Sequence, residues 1–260
     1  MAETIFMIHG MWAGEWYWES YKSLFEKEGY RCVTSMLRFH DMASNDVPDP
    51  QLGTTSLLDY AKDLENEIKQ LGVKPIVIGH SMGALLAQIL GSRGIAKALI
   101  LLVPAAPAGI MALRPSVIRS FLSVQTKWGF WKKPMRQSFK EASYSIFNLL
   151  PSDKQKEIYD KFVYESGLAA SEIGYWFLDS KRASRVDESK VKCPVLVIAG
   201  AKDKIAPASV VRKVAQKYKA VSTYKEFANH AHWIVAEPGW QEIVEYVLGW
   251  LEEQALSENA

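Results

Sequence analysis

Gly79-His80-Ser81-Met82-Gly83 follows the apolar run Pro75-Ile76-Val77-Ile78 and opens the run Ala84 to Leu90. A serine on a sharp strand-to-helix turn needs small residues two before and two after it, because larger ones would meet the adjoining strand and helix. Such a turn lifts the Ser81 hydroxyl clear of a sheet edge, where it can act as a nucleophile. Asp203 stands in Gly200-Ala-Lys-Asp203-Lys-Ile-Ala-Pro207, directly after the run Val195 to Ala199. A carboxylate at a strand end can fix the tautomer of a histidine base. Two histidines follow the last strand-like run, in Phe227-Ala-Asn-His230-Ala-His232-Trp233. Residues two apart in an extended segment share a face, so spacing leaves both open as the base. His9-Gly10 follows the first run, and its glycine lets the backbone bend. The N–H of Met11 or Trp12 then joins that of Met82 as an oxyanion hole. The His9 side chain itself is expected to bond nearby backbone.

These residues need strand ends to hold them, and short apolar runs suited to buried parallel strands recur. They are Thr4 to Ile8, Arg31 to Ser35, Pro75 to Ile78, Ala98 to Leu102, Pro194 to Ala199 and Thr223 to Phe227. Helical spacing lies between them, which predicts an α/β fold with a mostly parallel central sheet of about six strands flanked by helices. The clearest helix begins at Ser56 and carries Leu57, Ala61, Leu64, Ile68 and Leu71 on one stripe. Ser56 with Asp59 reads as a capping box and Gly72 as the stop. Further helices are expected at Trp16 to Glu28, Met82 to Leu90, Ala208 to Lys217 and Trp240 to Glu253.

About ninety residues separate Leu102 from Pro194, far more than a crossover helix needs. Apolar residues at helical spacing, such as Val117, Phe121 and Val124 or Ile173, Trp176 and Phe177, predict a helical cap inserted after the fourth strand. The cap spans 110–185 and the core domain 1–109 and 186–260, with the cap over the strand ends where open sheets bind ligands. Within it, Lys127 to Arg136 mixes cations with Trp128, Phe130 and Trp131. That mixture suits an interfacial patch, but the plainer reading is a solvated cap surface with buried rings. Trp128, Phe130, Trp131 and Gly10 are the substrate-binding candidates.

Thirty-one Lys and Arg against 29 Asp and Glu leave +2, too little for overall charge to draw nucleic acid or anionic lipid. Two cysteines so far apart, Cys32 and Cys193, make no disulfide framework and are expected to be reduced core residues. His230-x-His232 with His9, His40 and Asp203 lacks the spacing of a metal motif, so neither metal nor cofactor is expected. The N-terminus has no positive region followed by an apolar one, and the apolar stretch 98–113 is broken by Pro104, Pro107 and Gly109. A cytoplasmic chain without stable membrane insertion is expected, with a small molecule as its partner.

On His9-Gly10, Gly79 to Gly83, Gly200 to Pro207 and His232 to Pro238, the sequence resembles the α/β-hydrolase superfamily over nearly its whole length. The chain order Ser, Asp, His is that of this fold. His9-Gly-Met-Trp-Ala-Gly-Glu-Trp-Tyr-Trp18 is similar to the opening of the branch holding plant methylesterases and hydroxynitrile lyases. The resemblance implies a triad of Ser81, Asp203 and His232. In the family the catalytic histidine stands five residues before a glutamate followed by proline, as His232 does before Glu237-Pro238. His230 is then expected to bond backbone or to sit at the pocket rim. The sequence departs from the lyases at Gly10, where they carry threonine, and at Trp233, where they carry lysine; both departures favour ester hydrolysis. Dehalogenases and epoxide hydrolases of this fold carry aspartate where Ser81 stands. The implied activity is hydrolysis of a small carboxylic ester through an acyl-enzyme. The alternatives are a lyase or cofactor-free oxygenase on the same triad, and a non-catalytic ligand receptor of this fold. A complete triad favours an enzyme.

Overall fold

In a computed structural model, which describes residues 2–258, the strands in chain order are β1 (Thr4–Ile8), β2 (Arg31–Ser35), β3 (Ile76–His80), β4 (Ala98–Leu102), β5 (Pro134–Met135), β6 (Glu165–Ser166), β7 (Val195–Gly200) and β8 (Ser222–Phe227). β5 and β6 pair antiparallel on their own, and the other six form one parallel sheet in the order β2-β1-β3-β4-β7-β8. The four inner strands β1, β3, β4 and β7 are buried along their whole length. Helices on both faces require this, and it explains why these strands read as unbroken apolar runs. The chain runs outward from β1 to β2 and then crosses back to β3, so the order reverses between β1 and β3. Open parallel sheets bind ligands beyond the strand ends at such a reversal. Gly10 and Ser81 leave the sheet there.

Right-handed crossovers place α1 (Glu19–Lys27) on one face and α2 (Leu57–Gln70), α3 (Met82–Ser92) and the helix after β7 on the other. A tight turn over Glu15–Trp18 precedes α1, so the helix expected from Trp16 starts three residues later. Ser56 and Asp59 form the capping box of α2, and Gly72 follows its last turn at a φ of 70°. Such a cap stabilises a helix by about 1 kcal/mol. Here a distant carboxylate adds to it: Ser56 Oγ donates to Glu172 Oε1 at 2.7 Å and Leu57 N to Glu172 Oε2 at 2.8 Å. Negative charge at a helix N-terminus is favoured by the exposed amides and the helix dipole.

Between β4 and β7 lie α4 (Pro115–Ser120), α5 (Leu122–Gln125), α6 (Phe139–Ser145), α7 (Ser152–Tyr159) and α8 (Gly167–Gly174), together with the β5–β6 pair. These strands are two residues each, too short for any alternation to announce them. The segment is tied down by Glu165, which is fully buried. Its carboxylate accepts from Tyr60 Oη at 2.7 Å, from Ser166 N at 2.6 Å and from His40 Nε2 at 3.1 Å. Burial opposes a charge on His40, but Glu165 outweighs it and holds the imidazole above its ordinary range. Val163 N also donates to Trp12 O at 2.9 Å, joining this segment to the turn after β1.

After β7, α9 (Ala208–Lys217) leads to β8, and α10 (Trp240–Glu258) closes the described chain, five residues longer than its apolar pattern suggested. Cys32 is buried, whereas Cys193 is only half-buried, and both thiols are free. Among the described residues no helix is long and apolar enough to cross a membrane.

Candidate active site

Ser81 sits between β3 and α3 at φ 53° and ψ −115°, a conformation that L-residues rarely adopt. Its backbone is bonded on both sides. Ser81 N donates to Leu102 O at 3.0 Å, and Ser81 O accepts from Ala84, Leu85 and Ala105. A side chain at Gly83 would overlap the carbonyls of Ile8 and His9 at the end of β1, and one at Gly79 would strike the backbone of Gly83. The two glycines therefore let α3 start in direct contact with β1.

Gly10 brings the next loop equally close. A Cβ added there would stand 2.7 Å from His80 Nδ1 and 3.2 Å from Ser81 Cβ. The following turn holds Trp12 at φ 66°. Among the described residues, the N–H groups of Met11, Trp12 and Met82 donate to no protein acceptor. Met82 N is the first amide of α3, which by geometry has no partner inside the helix. His9 lies behind this loop: Leu37 N donates to its Nε2 at 3.3 Å, so the proton sits on Nδ1, which donates to Gly10 O at 2.8 Å. Burial lowers the His9 pKa to about 3, so the ring is neutral and acts on the loop's backbone.

Asp203 and His232 meet beyond the ends of β7 and β8. His232 Nδ1 lies 2.8 Å from Asp203 Oδ2, and both side chains are buried. Asp203 Oδ1 accepts from Ile205 N at 2.7 Å and Ala206 N at 2.8 Å, so the aspartate orders its own turn as well as the histidine. A carboxylate that accepts at both oxygens places the imidazole proton on Nδ1 and leaves Nε2 as a base. His80, kept neutral by burial, donates from Nε2 to His232 O at 2.9 Å. Ser81 and His232 line one small cavity with Met11, Trp12, Tyr17 and Trp233. No hydrogen bond joins the serine hydroxyl to the imidazole, a contact that in such sites often tightens only in the complex with substrate.

His230 corrects an expectation. It bonds neither backbone nor the pocket rim: its Nδ1 lies 2.8 Å from Glu237 Oε1 and its Nε2 2.6 Å from Glu242 Oε1, on the far side of the loop. Glu237 also accepts from Ala231 N at 2.7 Å. Burial disfavours charge on His230, but hydrogen bonds to Glu237 and Glu242 overcome it and raise the pKa above 6.5. A raised histidine pKa contributes stability that is full below the unfolded value and fades as pH climbs through the folded one. The stability gap between the wild type and His230→Asn, measured by urea unfolding, should thus be widest near about pH 5.5 and narrow steadily towards about pH 9. A gap that widens with pH would show that the pair is not an ionic one.

A second, larger cavity is also lined by Ser81. Its walls are apolar: Val117, Phe121, Val124, Phe130 and Ile173 from the inserted segment face Ile205 and Val210 from the sheet side. Of the three aromatic candidates only Phe130 lines it. Gly129, at φ 76°, turns the chain so that Phe130 is buried while Trp128 is 85% exposed. Trp131 is half-buried and packs edge-on against both rings. The expected buried rings are thus corrected for Trp128, and neither it nor Trp131 lines the cavity. Ile205 lines both cavities and was not singled out by any motif, although it sits two residues after Asp203.

The sequence model of an alpha/beta hydrolase family matches residues 5–245. A search of curated proteins found no match. Among solved structures, an esterase from Exiguobacterium antarcticum is similar with a TM-score of 0.72 at 18% identity, over 96% of this chain and 92% of that one. A methylesterase from Arabidopsis gives 0.71 at 12% identity, over 96% and 99%. A monoacylglycerol lipase from Paleococcus ferrophilus gives 0.68 at 22% identity, over 95% and 93%. These likenesses establish the fold.

Proposed function

The chain belongs to the alpha/beta hydrolase family, and from that premise we propose that it hydrolyses a small carboxylic ester through an acyl-enzyme on Ser81, His232 and Asp203. The contact of His232 Nδ1 with Asp203 Oδ2 at 2.8 Å, beside the cavity that Ser81 also lines, carries this reading. His232 Nε2 takes the proton of Ser81 as Oγ attacks the ester carbonyl. The oxyanion is held by the N–H groups of Met82 and of Met11 or Trp12. The tetrahedral intermediate then collapses, the bond to the alcohol oxygen breaks, and His232 gives that oxygen its proton. Water, deprotonated in turn by His232, releases the acid and restores Ser81. The residues 110–185 form a cap that walls the substrate cavity and takes no part in the chemistry.

The linings of the two cavities support a division of the ester between them. The leaving oxygen must reach His232, which lines only the small cavity. The alcohol therefore occupies the small, aromatic-walled side. The acyl group occupies the large apolar side, lined by Ser81, Met82 and Met11 but not by His232. No charged side chain lines that cavity, so an apolar acyl group is favoured over a carboxylate-bearing one. The methylesterase among the structural relatives is named for esters of this small-alcohol kind.

Initial rates on methyl esters of increasing acyl length, and on butyl esters of the same acids, test the assignment. kcat/KM is expected to rise with acyl length and to fall when methyl becomes butyl, and Val124→Trp should flatten the rise by filling the acyl side. The reverse preference would exchange the two halves. Labelling of Ser81 by a fluorophosphonate without turnover of any ester would point to a receptor or to another reaction.

A further inference from the structure

Residues 111–140 contain seven Lys and Arg and no Asp or Glu, so the +2 of the whole chain is +7 here against −5 on the remainder. Arg136 is engaged with the carbonyls of Ser44 and Tyr159. The other six, Arg114, Arg119, Lys127, Lys132, Lys133 and Lys140, are exposed. Elsewhere surface lysines such as Lys22, Lys69, Lys154, Lys156 and Lys217 sit in ion pairs. None of the six does so among the described residues.

Large apolar side chains are exposed in the same stretch: Ile118 at 43%, Leu122 at 51%, Trp128 at 85% and Phe139 at 37%. The arrangement is two-sided. In α4 and α5, Val117, Phe121 and Val124 line the large cavity, while Ile118 and Leu122, four residues apart, are exposed on the outside. Around Gly129 the chain repeats this, with Phe130 inward and Trp128 outward. The outer surface of the cavity wall is thus cationic and apolar at once, on a body of opposite net charge.

We propose that this face docks on an anionic lipid surface, with Ile118, Leu122 and Trp128 entering the headgroup region and the six cations facing the lipid phosphates. Cations surrounding exposed Trp and aliphatic side chains are the composition of an interfacial element. The negative remainder of the molecule is repelled by the same surface, which orients the cationic face towards it. Nucleic acid would satisfy the cations but offers nothing to the aliphatic Ile118 and Leu122, so lipid is favoured. Docking sets the wall of the acyl cavity against the source of apolar esters.

The test is sedimentation of the full chain with vesicles of pure phosphatidylcholine and of equal parts phosphatidylcholine and phosphatidylglycerol. Binding is expected only to the anionic vesicles and should weaken as salt rises. It should carry a blue shift in tryptophan emission that Trp128→Phe removes. Joint replacement of Lys127, Lys132 and Lys133 by Gln should weaken binding by about a hundredfold, while turnover of a water-soluble short ester is unchanged. That unchanged turnover separates loss of docking from loss of fold. Equal binding to both vesicles, undiminished binding of the triple variant, or tighter binding to a single-stranded RNA homopolymer would each overturn the proposal.

Discussion

Ser81→Ala is expected to abolish ester turnover, with kcat falling on the order of 10⁶-fold, and to abolish labelling by a fluorophosphonate. The thermal midpoint should barely move. The hydroxyl makes no hydrogen bond in the structure, whereas the backbone bonds of residue 81 to Leu102, Ala84, Leu85 and Ala105 survive the change. Alanine also keeps a Cβ, so the cost of the positive φ is the same in both proteins. Activity and stability thus separate at this position. Covalent labelling that persists at another residue would remove Ser81 from the mechanism.

His232→Ala should reduce acylation about as severely as the serine change, because members of a catalytic unit act together. Asp203→Asn should lower kcat on the order of 10⁴-fold, since an amide can donate to the imidazole and stabilise the wrong tautomer. His230→Ala should behave in the opposite way. Removing that ring deprives the buried Glu237 of a partner, which lowers stability, while acylation by the folded protein is largely kept. Single-turnover acylation at neutral pH, read beside the urea midpoint of each variant, distinguishes the two histidines. If His230→Ala were slow and His232→Ala fast, the base would have to be reassigned.

Much of this framework was legible because it is local. The spans Thr4–Ile8, Arg31–Ser35, Ala98–Leu102 and Ala208–Lys217 coincide with the elements read from the sequence, since buried parallel strands are apolar throughout and turn residues bound them. Ser56 and Asp59 announce their helix within four residues. The strand-to-helix turn at Ser81, too, is written in Gly79 and Gly83, two residues to either side of it. What escaped depends on distant partners or on a single dihedral angle. Glu165 meets His40 across 125 residues, and nothing near either announces the pairing. Glu242, in α10, was invisible as a partner of His230 for the same reason. Whether Trp128 or Phe130 turns inward hangs on the positive φ of Gly129, which composition does not reveal.

The carboxylates of Glu165 and Glu172 reach from the inserted segment into the core, one to His40 and Tyr60 and the other to the first turn of α2. A segment joined in this way is not an interchangeable module. Grafting in a foreign 110–185, as an engineer would to change ester preference, removes both carboxylates and strands a buried imidazole and phenol in the host. A chimera that keeps Glu165 and Glu172 at their places, or that replaces His40 and Tyr60 with apolar residues of similar size, avoids that penalty. The same cross-links imply that the two parts melt in one cooperative transition, so no separately folded cap fragment should be recovered by limited proteolysis.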